Sequence, residues 1–87
     1  MSNLLLPAAD QPSSRSPGDI DRQIGRLLRA RRHAAGLSLC DLAAAIGVSY
    51  QQMQKYEAGA NRIAASRLVS IASHLRTAPA DLLPASV

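Results

Sequence analysis

The 87 residues are enough for one domain, and a chain this short buries only roughly 60–65% of its unfolded surface, so its core is modest. Two Tyr with no Phe or Trp argue against the stacking platforms that hold single-stranded nucleic acid, and one cysteine rules out an intrachain disulfide. Cys40 and two His without ligand spacing make a poor zinc site, and a lone thiol fits a reducing compartment such as a bacterial cytosol. The net charge of +4 and a pI near 10.2 point weakly to a polyanionic partner. Of the ten Lys and Arg only Arg15, and of the six acids only Asp10, precede residue 18, so the excess positive charge lies in residues 18–87.

Residues 1–18 are rich in Ser and Pro, show no periodicity and read as a flexible tail; residues 19–87 read as the folded domain. The Leu4-Leu5-Leu6 stretch is too short for a signal peptide and has no basic start, and no apolar run approaches the ~18 residues of a membrane span, so a cytoplasmic protein is expected. Ile20, Ile24, Leu27 and Leu28 recur at i, i+4, i+7 and i+8, which predicts a first helix from about Ile20 to Ala35, with Asp19 as its N-cap and Gly36 just past its end. Arg22, Arg26 and Arg29 fall on one stripe opposite the core and read as a solvated face.

Ser38 caps a second, short helix whose apolar face is Leu39, Leu42, Ala43 and Ile46; Ser38-x-x-Asp41 approximates a capping box, and Gly47 ends the helix. Ser49 caps a third helix in the same way, with Gln52 at the reciprocal position, Val48 as staple, and Met53 and Tyr56 toward the core. Gly59 stops it, and Asn61 and Arg62 lie in the following loop. Leu68, Ile71, Ala72 and Leu75 define a fourth helix. A short fifth is expected with Pro79 in its first turn, Leu82 and Leu83 as its buried side and Pro84 at its end. Ala78 has no side-chain acceptor to cap it, so it should be the least stable helix.

Two short helices joined through Gly47, with small Ala43 four residues earlier, have the spacing of a helix-turn-helix. The free face of the third helix then carries Tyr50, Gln51, Gln54 and Lys55 and no acid. Gln amides pair with adenine N6 and N7, and Lys55 can donate to guanine O6 and N7. The unpaired N–H groups after Ser49 attract phosphate. No Ser/His/Asp set, carboxylate pair or phosphate loop is present, so neither catalysis nor a cofactor is expected.

Gly36-Leu37-Ser38-Leu39-x-x-Leu42-Ala43-x-x-Ile46-Gly47-Val48-Ser49-x-x-x-Met53-x-x-Tyr56-Glu57-x-Gly59, continued by Leu68-x-x-Ile71-Ala72-x-x-Leu75 and Leu82-Leu83, resembles the phage-repressor and Cro-like helix-turn-helix family, the Xre family. The resemblance runs from about Ile20 to Pro84. It implies an all-α, five-helix lambda-repressor-like domain that binds operator-like double-stranded DNA, usually as a homodimer. It implies base-edge contacts at Tyr50, Gln51 and Lys55, a base or phosphate contact at Gln52, and backbone contacts from the loop at Asn61 and Arg62. It further implies a structural pair between Arg32 and Glu57. Where relatives open the second helix with a phosphate-binding Gln, this chain has Leu39, leaving Ser38 or Cys40 backbone groups to serve. The function expected is a transcriptional regulator, chiefly a repressor. The competing reading is a protein-interaction module, an antitoxin or co-regulator whose small protein partner matters more than DNA; a purely structural bundle leaves the polar face unexplained.

Overall fold

The computed structural model describes residues 17–85, in which four α-helices and one 3-10 turn follow in order. They are α1 (Pro17–Ala34), α2 (Leu39–Ile46), α3 (Tyr50–Ala58), α4 (Ala65–His74) and the 3-10 turn Pro79–Leu82. The expected all-α class holds; residues 1–16 of the expected tail lie outside the described residues.

Helix boundaries follow from local chemistry. α1 starts at Pro17, three residues before the predicted start, because proline at the first helical position lacks only an N–H that has no partner there anyway. Asp19 therefore lies inside the first turn and not at the cap, where it still opposes the positive end of the helix dipole and pairs with Arg22. α1, α2 and α3 each end in a left-handed residue, Gly36, Gly47 and Gly59, at φ of 72°, 76° and 73°. Each end closes with paired bonds of the same kind; at α2 the Gly47 N–H reaches Ala44 O at 3.3 Å and Val48 N–H reaches Ala43 O at 3.0 Å. α4 closes identically through Arg76 and Thr77, but Arg76 takes the glycine position at φ 55°, a conformation that costs an L-residue about 1–2 kcal/mol.

The expected fifth helix is shortened to four residues. Leu83 is extended at φ −111° and ψ 144°, as the residue before a proline tends to be, so Pro84 blocks helix propagation one position upstream of itself. That extension turns Leu83 outward, 43% exposed, and only Leu82 enters the core, correcting the expectation that both are buried. The turn is also better tied than Ala78 suggested: Asp81 reaches back to accept from Ala78 N–H at 3.1 Å and from the Thr77 hydroxyl at 2.7 Å.

The core joins Leu28 of α1, Leu42 and Ala43 of α2, Met53 and Tyr56 of α3, Leu68, Ile71, Ala72 and Leu75 around α4, and Leu82. α1 packs on α3 and the 3-10 turn, α2 on α3 and α4, and α4 on the 3-10 turn. Burying a Leu or Met side chain contributes about 1.5–3 kcal/mol, so these ten residues supply the driving force that the capped ends direct into one arrangement.

Candidate nucleic-acid interface

The α2–α3 turn is fixed at both sides. Ser38 Oγ accepts from Asp41 N–H at 3.0 Å while Ser38 N–H donates to Asp41 Oδ2 at 3.1 Å, a complete capping box. The Ser38 backbone N–H, and after it the Ser38 hydroxyl, hold the Asp41 carboxyl below its ordinary range. At α3 the serine half alone forms, with Ser49 Oγ accepting from Gln52 N–H at 3.0 Å. At Ser49 the oxygen acts as acceptor, which leaves the hydroxyl hydrogen as a donor at the head of α3. Leu42, Ala43, Met53 and Tyr56 are buried between the helices, so packing fixes which side of α3 looks outward.

That outward side holds Tyr50, Gln51, Gln54, Lys55 and Ala58. Tyr50 is 43% exposed, and Gln54 Nε2 donates weakly to its hydroxyl at 3.4 Å. Gln52 is half-buried, at the margin of the face and not at its centre. The one carboxylate of α3 is withdrawn: Glu57 accepts from Arg32 Nε at 2.6 Å and from Arg32 Nη2 at 3.0 Å. The two side chains are only 11% and 9% exposed, and Arg32 Nη1 also donates to Leu37 O at 2.9 Å. The hydrogen bond to Glu57 raises the Arg32 pKa above its already high ordinary value. The pair thus locks α1 to α3 and removes negative charge from a surface whose remaining ionised group is Lys55.

Asn61 and Arg62 are exposed in the loop beyond α3. Arg62 is tied back to α1, where Nε donates to Asp21 Oδ2 at 3.2 Å with the Arg62 side chain 70% exposed. The structure therefore brings Ser49, Tyr50, Gln51, Gln54 and Lys55 together on one helix, sets Ser38 at the start of α2, and puts Asn61 and Arg62 in the loop after α3.

Sequence reasoning missed Gly25. A Cβ there would lie 2.7 Å from Tyr56 O and 2.8 Å from the Glu57 carbonyl carbon, and nearer still to Glu57 O. The glycine lets α1 cross directly over the last turn of α3 and so positions the Arg32–Glu57 pair. The available signal was an isolated glycine inside a helical pattern, a placement that costs about 1 kcal/mol against alanine and so points to a packing reason.

Residues 23–85 match the family described as helix-turn-helix domain. An HTH-type transcriptional regulator of Sinorhizobium fredii is 39% identical over 75 residues, covering 86% of this chain and 52% of that protein. A transcriptional regulator in the ATPase CF(0) region of Rhodospirillum rubrum is 47% identical over 70 residues, covering 80% of this chain and 62% of its own length. The chain thus spans little more than half of each of these relatives. Among solved structures, the clp gene regulator ClgR of Corynebacterium glutamicum superposes with a TM-score of 0.70 at 28% identity, over 72% of this chain and 81% of that one. The restriction-modification controller protein C.AhdI of Aeromonas hydrophila gives 0.68 at 27% identity, over 71% and 94% of the respective chains.

Proposed function

The chain belongs to the helix-turn-helix domain family, and from that premise we propose that it binds double-stranded DNA sequence-specifically and regulates transcription, acting as a repressor by occupying its site. One observation carries this reading: α3 presents an exposed face of amides and one cation, while its single carboxylate is buried against Arg32. An exposed Glu on that face would repel phosphate and could donate to no base edge; its removal leaves donors suited to purine edges in the major groove.

In this reading α3 lies in the major groove. Gln51 and Gln54 read adenine, Lys55 reads guanine, and Tyr50 packs on a thymine methyl or reaches a phosphate with its hydroxyl. Gln52, at the margin, reads a base or a phosphate. Ser38, Ser49, Asn61 and Arg62 hold the backbone and set the register. The DNA-binding unit begins with α1 at Pro17 and works on the chromosome in the cytoplasm. Two copies act together, because one module of this size buries only about 600–1,000 Å² on DNA. The apolar groove of about 890 Å³ beside Leu27, Leu83 and Pro84 supports contact between copies at the C-terminal end.

The test is a titration against random-sequence duplex at several salt concentrations, followed by selection of the preferred site. Steep salt dependence and a two-fold symmetric site with half-sites about 34 Å apart is the expected result. No binding to duplex at low salt overturns the reading and leaves a protein partner as the object of search. Changing Gln51 to Ala is expected to relax one base position of the selected site.

A further inference from the structure

The arginines of α1, including Arg22, Arg26 and Arg29 that sequence alone puts on one solvated stripe, have different surroundings. Arg22 pairs with Asp19, and Arg31 lies 3.8 Å from Asp81. Arg26 lines the groove against the 3-10 turn, in company with Asp81. Arg29 lines a separate cleft of about 400 Å³ between α1, α2 and α3, together with Leu39, Gln54, Ala58 and the Arg32–Glu57 pair. In that cleft the only carboxylate, Glu57, already accepts two bonds from Arg32. Arg29 is exposed and is the cleft's uncompensated charge among the described residues.

The cleft adjoins the proposed reading face, because Gln54 and Ala58 belong to both. An α-helix with its side chains is about 10–12 Å across and the major groove about 12 Å wide, so a helix in the groove fills it and the groups flanking it meet the phosphate walls. We infer that Arg29 binds a backbone phosphate of the DNA duplex at the mouth of this cleft, a contact that rests on the DNA-binding reading above and extends it to α1. Leu39 offers no side-chain donor there, so the guanidinium, with its planar array of donors, is the group suited to the phosphate oxygens. The contact fixes the angle at which α3 enters the groove, since Arg29 and Arg32 stand one turn apart on the same rigid helix and Arg32 already holds α3.

The experiment compares the full chain with Arg29→Ala, Arg29→Lys and Arg76→Ala in duplex titrations from 50 to 200 mM salt, with thermal melting of each protein. Each neutralised phosphate contributes about 0.9 to the slope of log affinity against log salt, so across this range Arg29→Ala should lose about 3.5-fold less affinity than the wild type while binding more weakly at 50 mM. Arg29→Lys should keep the wild-type slope, and Arg76→Ala, exposed in the turn after α4, outside both clefts and with the same net charge as Arg29→Ala, should keep it too. An unchanged slope for Arg29→Ala overturns the inference, and so does an equal change for both alanine variants, which would be a net-charge effect. If the wild type itself shows no salt-dependent duplex binding, the DNA reading fails first and the Arg29 contact falls with it.

Discussion

Changing Gly25 to Ala adds one methyl group at the α1–α3 crossing, and its sign is set by a contest between two effects. In an exposed helix interior this change stabilises by about 1 kcal/mol, because alanine loses less backbone entropy on folding. Here the added Cβ would meet Tyr56 O at 2.7 Å and the Glu57 carbonyl carbon at 2.8 Å. Neither group can swing aside cheaply, since Tyr56 O accepts from Gly59 N–H at 3.1 Å in the closing turn of α3. The helices must separate by several tenths of an ångström, and overpacking of that kind costs about 1–3 kcal/mol. The separation also strains the bidentate Arg32–Glu57 contact, because Glu57 supplies both the obstructing carbonyl and the carboxylate. The contact cost less the propensity gain leaves about 0–2 kcal/mol, and the strain on the ion pair adds to it, so the net is a loss of up to about 2 kcal/mol, or a fall in Tm of up to roughly 16 °C for a domain of this size. Urea unfolding followed by circular dichroism measures it, with Ala30→Gly on the exposed side of α1 as the propensity control, expected to cost about 1 kcal/mol. A Gly25→Ala protein as stable as the wild type, or more so, would refute the claim that α1 rests rigidly on the end of α3.

Glu57→Ala leaves the Arg32 guanidinium nearly buried without its partner, which costs about 3–5 kcal/mol at a dry site and is a large share of the ~5–15 kcal/mol that holds most domains folded. Replacing both residues by Met and Leu should recover most of that loss in the same urea experiment; no recovery would mean that more than the pair was disturbed. Asp41 and Asp81 both titrate below the ordinary carboxylate value, Asp41 through Ser38 and Asp81 through the Thr77 hydroxyl and then Ala78 N–H. Their contribution is therefore present above the unfolded-state value near 3.9 and lost as pH falls through the lower folded-state value, so Asp41→Asn and Asp81→Asn should flatten the acid limb of stability against pH below about pH 4. A limb as steep as the wild type's in both variants would assign acid sensitivity to other groups. In the proposed complex Asp21 and a phosphate compete for Arg62, so Asp21→Asn should raise duplex affinity and Arg62→Ala should lower it equally for all sequences; weaker binding by Asp21→Asn would show that Asp21 orients Arg62 instead.

Features settled within a single turn of chain were legible in the sequence. Ser38 and Ser49 as caps, Asp41 as the reciprocal member, and Gly36, Gly47 and Gly59 as left-handed ends are local chemistry, and the folded chain uses each as its residue type dictates. The apolar periods likewise dictated which faces of α2, α3 and α4 turn inward, and hence that Tyr50, Gln51, Gln54 and Lys55 face out. The Arg32–Glu57 pair spans 25 residues and was legible only through the family resemblance, because no local pattern links the two. The remaining features were decided by packing between distant segments. Gly25 is required by a backbone that arrives from α3, Asp21 meets Arg62 across 41 residues, and the α1 arginines part company according to which neighbour packs beside each. Leu83 carries the same apolar side chain as Leu82 yet faces outward, its extended backbone fixed beside Pro84. Caps and periodicity fix the inward side of each helix; what stands beside its other side depends on where distant segments arrive, and only the packed core sets that.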